Sequence, residues 1–460
     1  ITLSIGELIS PDGIDIDPGW YWLTLSYTPN EDVGRLEQES KRYLLFVQRL
    51  KPYKIHARKV IVGNIPNVDF ATITEAIKNS QPGYILSLAP GEHQLGKNQD
   101  SFSRFTTNVP NLTIESYDPQ NPAVLKLYQF YIDSCWDVQI SGLIIDGIRQ
   151  NTEEVNTGVI NFKNCTRCII SDCTLKASMV DAENCDGIEL SSNRFLKYAH
   201  HRSSISNSQR VVFRNNTIGY INDVGYQTIG FDACKVVLVF DNEMNRSGLT
   251  GIQLNRCSDA LVACNRVREN HEGNICLEYT DKAIVAFNEL HSKSHYNLML
   301  SNSGEGIIHH NQLQGGKVGI LLKSGYSIRR NLIADSNAGV LLSGGNLNII
   351  ENNIFANNKQ PMRGEGPYWS TTVVKSNLMD RQIDSNSLEN ARLLDYNDRT
   401  HRYETLTASE VEKANIVCQF ELSESVDTSG HFLVKVKDVD KFPDLQASEY
   451  GPDLSLKGQY

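Results

Sequence analysis

An asparagine followed two residues later by an apolar side chain recurs through the middle of this chain: Asn193/Phe195, Asn216/Ile218, Asn242/Met244, Asn265/Val267, Asn288/Leu290, Asn311/Leu313, Asn331/Ile333, Asn353/Phe355 and Asn377/Met379. By subtraction, the steps between these asparagines are 23, 26, 23, 23, 23, 20, 22 and 24. Three residues before each asparagine stands a second apolar column: Leu190, Phe213, Val239, Val262, Val285, Ile308, Ile328, Ile350 and Val374. Most repeats also carry a short alternating strand, such as Gly251-Ile252-Gln253-Leu254 or Gly319-Ile320-Leu321-Leu322. A unit of this length with short period-2 strands cannot bury its inward face alone, so it must stack on copies of itself.

The expected fold is therefore all-β, a solenoid of parallel sheets. A leucine-rich repeat has a similar period but needs Leu at several fixed offsets and a helical half-unit, and neither is present. Asparagine suits a sharp corner because it tolerates the left-handed conformation, and its amide can bond the next asparagine one rung away. Pro110-Asn111-Leu112-Thr113-Ile114, Val138-Gln139-Ile140 and Cys168-Ile169-Ile170-Ser171 carry the coil backwards.

The Asn-x-apolar ladder of residues 184–379 resembles the right-handed parallel β-helix of the pectin-lyase-like superfamily, which holds carbohydrate-active enzymes and phage tailspikes. The run Asp69-Phe70-Ala71-Thr72-Ile73-Thr74-Glu75-Ala76-Ile77, followed by Pro82-Gly83-Tyr84-Ile85-Leu86-Ser87-Leu88, is similar to that family's short helix and first strand. The resemblance implies a β-helix. For activity it implies only a range, because lyases, hydrolases, epimerases and inert spikes share the fold. The expected organisation is a small β module at 1–58, a helix cap and first rung at 59–100, the β-helix at 101–380 and a C-terminal cap or assembly region at 381–460. The module shows the strands Trp20-Tyr21-Trp22-Leu23-Thr24-Leu25-Ser26-Tyr27 and Tyr43-Leu44-Leu45-Phe46-Val47. The C-terminal region offers a helical stretch from Thr407 to Ala414 and a strand from Phe432 to Val436.

The 460 residues carry 44 Lys+Arg against 54 Asp+Glu, a formal net charge of -10. That balance argues against nucleic acid as partner, since phosphate binding needs a concentrated basic face. No apolar run reaches the roughly 18 to 20 residues of a membrane helix, and no signal peptide is visible at Ile1-Thr2-Leu3-Ser4-Ile5. Location outside the cell, or on a virion or secretion apparatus, is the expectation.

Cys185, Cys234 and Cys257 each lie eight residues before a ladder asparagine, and Cys165 lies eight before Cys173, which takes the asparagine slot. Ser208, Thr280 and Ser303 fill the same column, marking a tight position for small side chains. Buried free thiols are expected there. A zinc site at Cys165-x-x-Cys168 is disfavoured because alternation sends the two thiols in different directions, and neither metal nor cofactor is expected.

Function on a solenoid sits in stacked loops. The turns after the Asn-x-apolar units carry Lys197, His200 and Arg202, then Asp223 and Tyr226, then Arg246, then His271 and Glu272, then Lys293, His295 and Tyr296. They should form one stripe facing a polysaccharide or cell-surface glycan. Uronic acids call for Arg or Lys against the carboxylate, and elimination or epimerisation needs a base for the adjacent proton. His200 or His271 is the candidate base, Tyr226 or Tyr296 the proton donor, and Arg202 and Arg246 the carboxylate clamps. Lys197, Asp223, Glu272, Lys293 and His295 are candidate substrate-binding residues. A hydrolase would instead pair carboxylates, such as Asp223 with Glu269 or Glu272. The alternative is a non-catalytic glycan-recognising spike or fibre module, forming a homotrimer.

Overall fold

The computed structural model describes residues 2–5, 19–26, 41–47 and 58–380, apart from 96–103, 148–159, 177–178, 197–202, 220–227, 247–248, 294, 303, 305, 346–347 and 366–369, and then the strands 391–397, 402–405, 416–417, 420–426 and 432–436. The chain forms two units, Ile1–Tyr53 and Lys54–Tyr460. In the first, Thr2–Ile5, Gly19–Ser26 and Lys41–Val47 make an antiparallel sheet. The expected helix at Thr407–Ala414 lies outside the described residues.

The second unit is a right-handed parallel β-helix built from three long sheets of 12, 16 and 14 strands, here sheets I, II and III. One turn runs through Thr250–Asn255 of sheet I, Ser258–Ala263 of sheet II and Arg266–Arg268 of sheet III. The chain then returns as Gly273–Glu278, which pairs parallel onto Thr250–Asn255 with Ile252 opposite Ile275 and Leu254 opposite Leu277. Right-handed crossover follows from the twist of each strand. Strand alternation puts one column per face inside: Ile252, Ile275, Leu298 and Ile320 from sheet I, and Val239, Val262, Val285 and Ile308 from sheet II, all fully buried. Ahead of the regular turns, the α-helix Ile73–Lys78 starts at Thr72, whose hydroxyl accepts from the Glu75 amide at 3.2 Å, and buries Ile73, Ala76 and Ile77. Parallel pairing runs past residue 380. Ala391–Asn397 adds to sheet II and Ile416–Val417 to sheet III, neither of which the apolar repeat announces.

The left-handed corner falls one residue earlier than expected. Asn215, Asp241, Cys264, Phe287, His310, Arg330, Asn352 and Ser376 have φ between 51° and 57°, whereas the ladder asparagines that follow them do not. Reversing the chain at the preceding, partly exposed residue lets the asparagine side chain turn inward. Each ladder amide then works in both directions. Asn288 Nδ2 donates to Val262 O at 2.8 Å and to Asn311 Oδ1 at 2.9 Å, and its backbone N–H donates to the same Oδ1 at 2.9 Å. The backbone link recurs without a gap from Asn193 to Asn377. These amides are buried at 0 to 2% exposure, where an unmade bond costs about 1 to 3 kcal/mol.

A second left-handed column, Arg167, Gly187, Arg210, Val236, Asp259 and Lys282, forms a bulge at the start of each sheet II strand. The register runs from Thr166 opposite Asp186 directly to Cys168 opposite Ile188. Alternation is broken there, so Cys165 and Cys168 both point inward and their thiols touch, contrary to the sequence expectation. The small-residue column is a stack of donors to the rung below: Cys165 to Ile132 O at 3.2 Å, Cys234 to Ile205 O at 3.2 Å, Cys257 to Phe231 O at 3.5 Å and Thr280 to Leu254 O at 3.3 Å. The described cysteines are free. Burial pushes the Cys135 and Cys173 thiols up to about 12, which keeps them protonated.

Outside the coil, the corner residue His310 lies flat on Phe287, with ring centroids 5.2 Å apart, and its Nδ1 is 2.9 Å from Nδ1 of His309. One ring must donate and the other accept. Burial, with Arg330 and Arg329 nearby, brings His309 down to about 4, and burial with His309 brings His310 down to about 3.

Two outcomes follow from these contacts. Asn288→Leu, although apolar and similar in size, is expected to lose about 2 kcal/mol of unfolding free energy in denaturant titration, because its neighbours' amides lose their partners; a neutral result would contradict the ladder's role. Unfolded histidines titrate near 6.5 while the folded pair stays neutral, so stability should be full above about pH 6.5 and fall as the pH drops toward 4, by about 3 kcal/mol from His309. The double variant His309→Gln, His310→Gln should flatten that slope in acid unfolding curves.

Candidate functional site

The candidate stripe lies where the chain turns from sheet III back to sheet I. The sheet III strands here are three residues long, Glu243–Asn245, Arg266–Arg268, Glu289–His291 and Gln312–Gln314. Only the central residue of each faces inward, so the flanking ones form two outer columns. One reads Glu243, Arg266, Glu289, Gln312 and the other Asn245, Arg268, His291, Gln314. Left-handed Arg246 and Glu269 make the next corner, and consecutive turns are tied by Arg246 N to Arg268 O at 2.9 Å and Glu269 N to His291 O at 2.7 Å.

Two carboxylates organise the charges. Glu289 takes Arg266 at 2.8 Å together with Arg268. Burial alone would push this carboxyl up, yet the two guanidinium groups hold it below the usual carboxylate range. One rung lower in the corner, Glu269 is gripped by Lys293 from above and Arg246 from below, and these two cations lower its pKa. Glu269 is therefore ionised and bound at neutral pH, which removes it as the proton-donating acid of a hydrolase pair.

Beneath the turns runs a short chain of buried amides. Asn270 Nδ2 donates to Asn274 Oδ1 at 2.9 Å, Asn274 Nδ2 to Asn297 Oδ1 at 2.9 Å, and Asn297 Nδ2 to the carbonyls of Gln314 and Gly315 at 3.1 and 3.0 Å. It fixes three successive turns relative to one another. Tyr296 lies over Gly273, where an added Cβ would come within 2.1 Å of Tyr296 Cε2, so only glycine admits the ring. The ring thus spans two rungs, and its hydroxyl meets Thr250. Burial pushes the Tyr296 phenol up, with Cys276, Glu272 and Glu278 adding to the effect, so it keeps its proton. His271 is exposed and His295 half-buried, with ring centroids 6.3 Å apart.

Of the residues expected at the site, Arg246, His271, Glu272, Lys293, His295 and Tyr296 come together on three consecutive turns. Lys197, His200, Arg202, Asp223 and Tyr226 lie outside the described residues. Arg246 and Lys293 reach any ligand from within an ion pair to Glu269, not as isolated clamps. The Arg266–Glu289–Arg268 group and the Asn270–Asn274–Asn297 chain were not anticipated. The 23-residue spacing of Asn274 and Asn297, equal to the rung period, is the signal that could have found the latter.

A family model described as "Periplasmic copper-binding protein (NosD)" matches residues 203–385. Comparison with curated proteins gives no match. Among solved structures, the PL6 family alginate lyase AlyGC is similar over 79% of this chain and 57% of its own, at 13% identity and a TM-score of 0.50. The alginate lyase AlyF-OU02, in complex with G6, is similar over 88% of this chain and 98% of its own, at 14% identity and the same TM-score. The chain thus spans little more than half the length of the first of these. At such identities the likeness is one of fold. Taken with the three-sheet coil and its asparagine ladder, it makes the chain a right-handed parallel β-helix, the fold it shares with these alginate lyases.

Proposed function

We propose that the protein binds and processes an acidic polysaccharide along the turns between sheets III and I. The observation that carries this reading is the meeting, on three consecutive turns, of the imidazoles His271 and His295, the protonated phenol of Tyr296 and the cations Arg246 and Lys293. Rungs repeat every ~4.8 Å, so the stripe can follow an extended polymer. The two alginate lyases that share the fold support an anionic sugar, and the periplasmic description of the matched family supports a location outside the cytoplasm.

The chemistry that fits is β-elimination. His271 takes the proton on the carbon beside the carboxylate, a double bond forms to the neighbouring carbon, and the glycosidic C–O bond breaks. Tyr296 gives its proton to the departing oxygen. Return of a proton from the opposite face would give epimerisation instead. His200 and Tyr226 remain candidates for the same roles. The matched family's copper is not carried over. The column thiols are spent on carbonyls, and among the described residues no three His, Cys, Asp or Glu side chains are arranged to hold a metal ion.

Incubation with a panel of uronate polymers, read by the ultraviolet absorbance of unsaturated ends, tests the reading. His271→Ala and Tyr296→Phe should each lower kcat at least about 100-fold. Gly273→Ala, which displaces the Tyr296 ring, should lower it with an unchanged coil circular dichroism spectrum. Full activity in both His271→Ala and Tyr296→Phe rejects these residues as base and donor. Polymer retention without product makes the protein a binding module, and absence of both retention and product rejects the glycan reading.

A further inference from the structure

The outer face of sheet II is not built for water. In Gln209–Arg214, Lys235–Phe240, Ser258–Ala263, Ala283–Ala286 and Gly306–His309 the inward residues are buried in the core, and the outward ones between them should be polar on a solvated sheet. Instead they read Val212, Leu238, Leu261, Ile284 and Ile307 in one column, stacked in register over five rungs. The adjacent column reads Arg214, Phe240, Ala263, Ala286 and His309. Val212, Leu238, Leu261, Ile307 and Phe240 are half-buried, while Ile284, Ala263 and Ala286 sit lower between their neighbours. Charge closes both ends: Glu189 with Arg214 at 2.8 Å on one side, Arg329 with Glu351 at 2.8 Å on the other.

We infer that this face is a two-fold interface with a second copy of the chain, its axis passing through the rung of Leu261 and Ala263. A two-fold axis running along the strands, between two such faces, reverses rung order and keeps each column opposite itself. Val212 then meets Ile307 of the second copy, Leu238 meets Ile284, and Leu261 meets its own equivalent. In the second column the large ring of Phe240 stands opposite the small Ala286, so bulk on one copy faces a hollow on the other. The acidic rung of Glu189 comes opposite the rung of Ser327 and the basic Arg329. Sheets packed this way stay nearly aligned, the common arrangement for two stacked sheets. The apolar strip covers roughly 300 Å² at strand spacing. That suits the dry centre of a standard interface of about 800 Å² per partner, with Gln209, Lys235, Ser258 and the end ion pairs as its polar rim.

Light scattering on the eluting full chain should give twice the monomer mass at micromolar concentration. Leu261→Glu, whose side chain points away from the core, should give the monomer with an unaltered circular dichroism spectrum and an unfolding midpoint that no longer depends on protein concentration. A residue on the axis meets its own copy, so Leu261→Cys treated with glutathione disulfide should link two chains by one disulfide, releasing two glutathione thiols. Both cysteine variants are made in a Cys264→Ser background, which removes the partly exposed native thiol on the axis rung; there Phe240→Cys, two rungs from its own equivalent, should not link, and neither should Cys264→Ser alone. Link formation also serves if Leu261→Glu fails to fold. A monomeric or trimeric unaltered chain, or failure of Leu261→Cys to cross-link, overturns the proposal. Polymer cleavage bears on neither result.

Discussion

Everything in the coil depends on how one rung holds its place on the next, and the tightest control is the amide chain from Asn193 to Asn377. Backbone pairing between parallel strands is tolerant of register. A buried amide that must satisfy the residue below and the asparagine above is not, because a one-residue slip leaves several polar groups unpaired at about 1 to 3 kcal/mol each. The left-handed residue before each asparagine is the geometric price of that arrangement, and it explains why the corner position accepts Phe287, His310 and Arg330 as well as Asn215.

Register in turn positions the candidate site. Tyr296 reaches across Gly273 to Thr250 only because three rungs are locked in phase. Lys293 and Arg246 close on Glu269 from opposite sides for the same reason. The exposed members of these ion pairs contribute little stability individually, so their effect is on geometry: they hold the turn at Glu269 while leaving His271 in solvent. The buried Asn270–Asn274–Asn297 chain does the rest, anchoring the turns from below. Preorganised turns on a rigid coil are what a site for an extended polymer requires.

Most of the fold was legible because a period-2 strand and a rung-length repeat leave few alternatives. The inward columns, the small-residue thiol column and the helix at Ile73–Lys78 could all be read from spacing and residue type. What escaped reading was local. The bulge at Arg167 reverses the direction of Cys168, and no residue type announces it, since Arg, Val, Asp and Lys all occupy that column. Ala391–Asn397 joins sheet II without the asparagine that marks the earlier rungs. At the site, Arg246, His271 and Lys293 could be named from their place in the turns. Glu269 as their common partner could not, because ion pairing between rungs depends on side-chain direction at a left-handed corner.

The central claim is that the turns between sheets III and I receive an anionic sugar chain. A crystal structure of the protein with a uronate oligosaccharide tests it most directly. The account predicts sugar units lying along the turns that carry Arg246, His271, Lys293 and Tyr296, with a carboxylate at Arg246. An oligosaccharide seated elsewhere on the coil, with these turns empty, would contradict it.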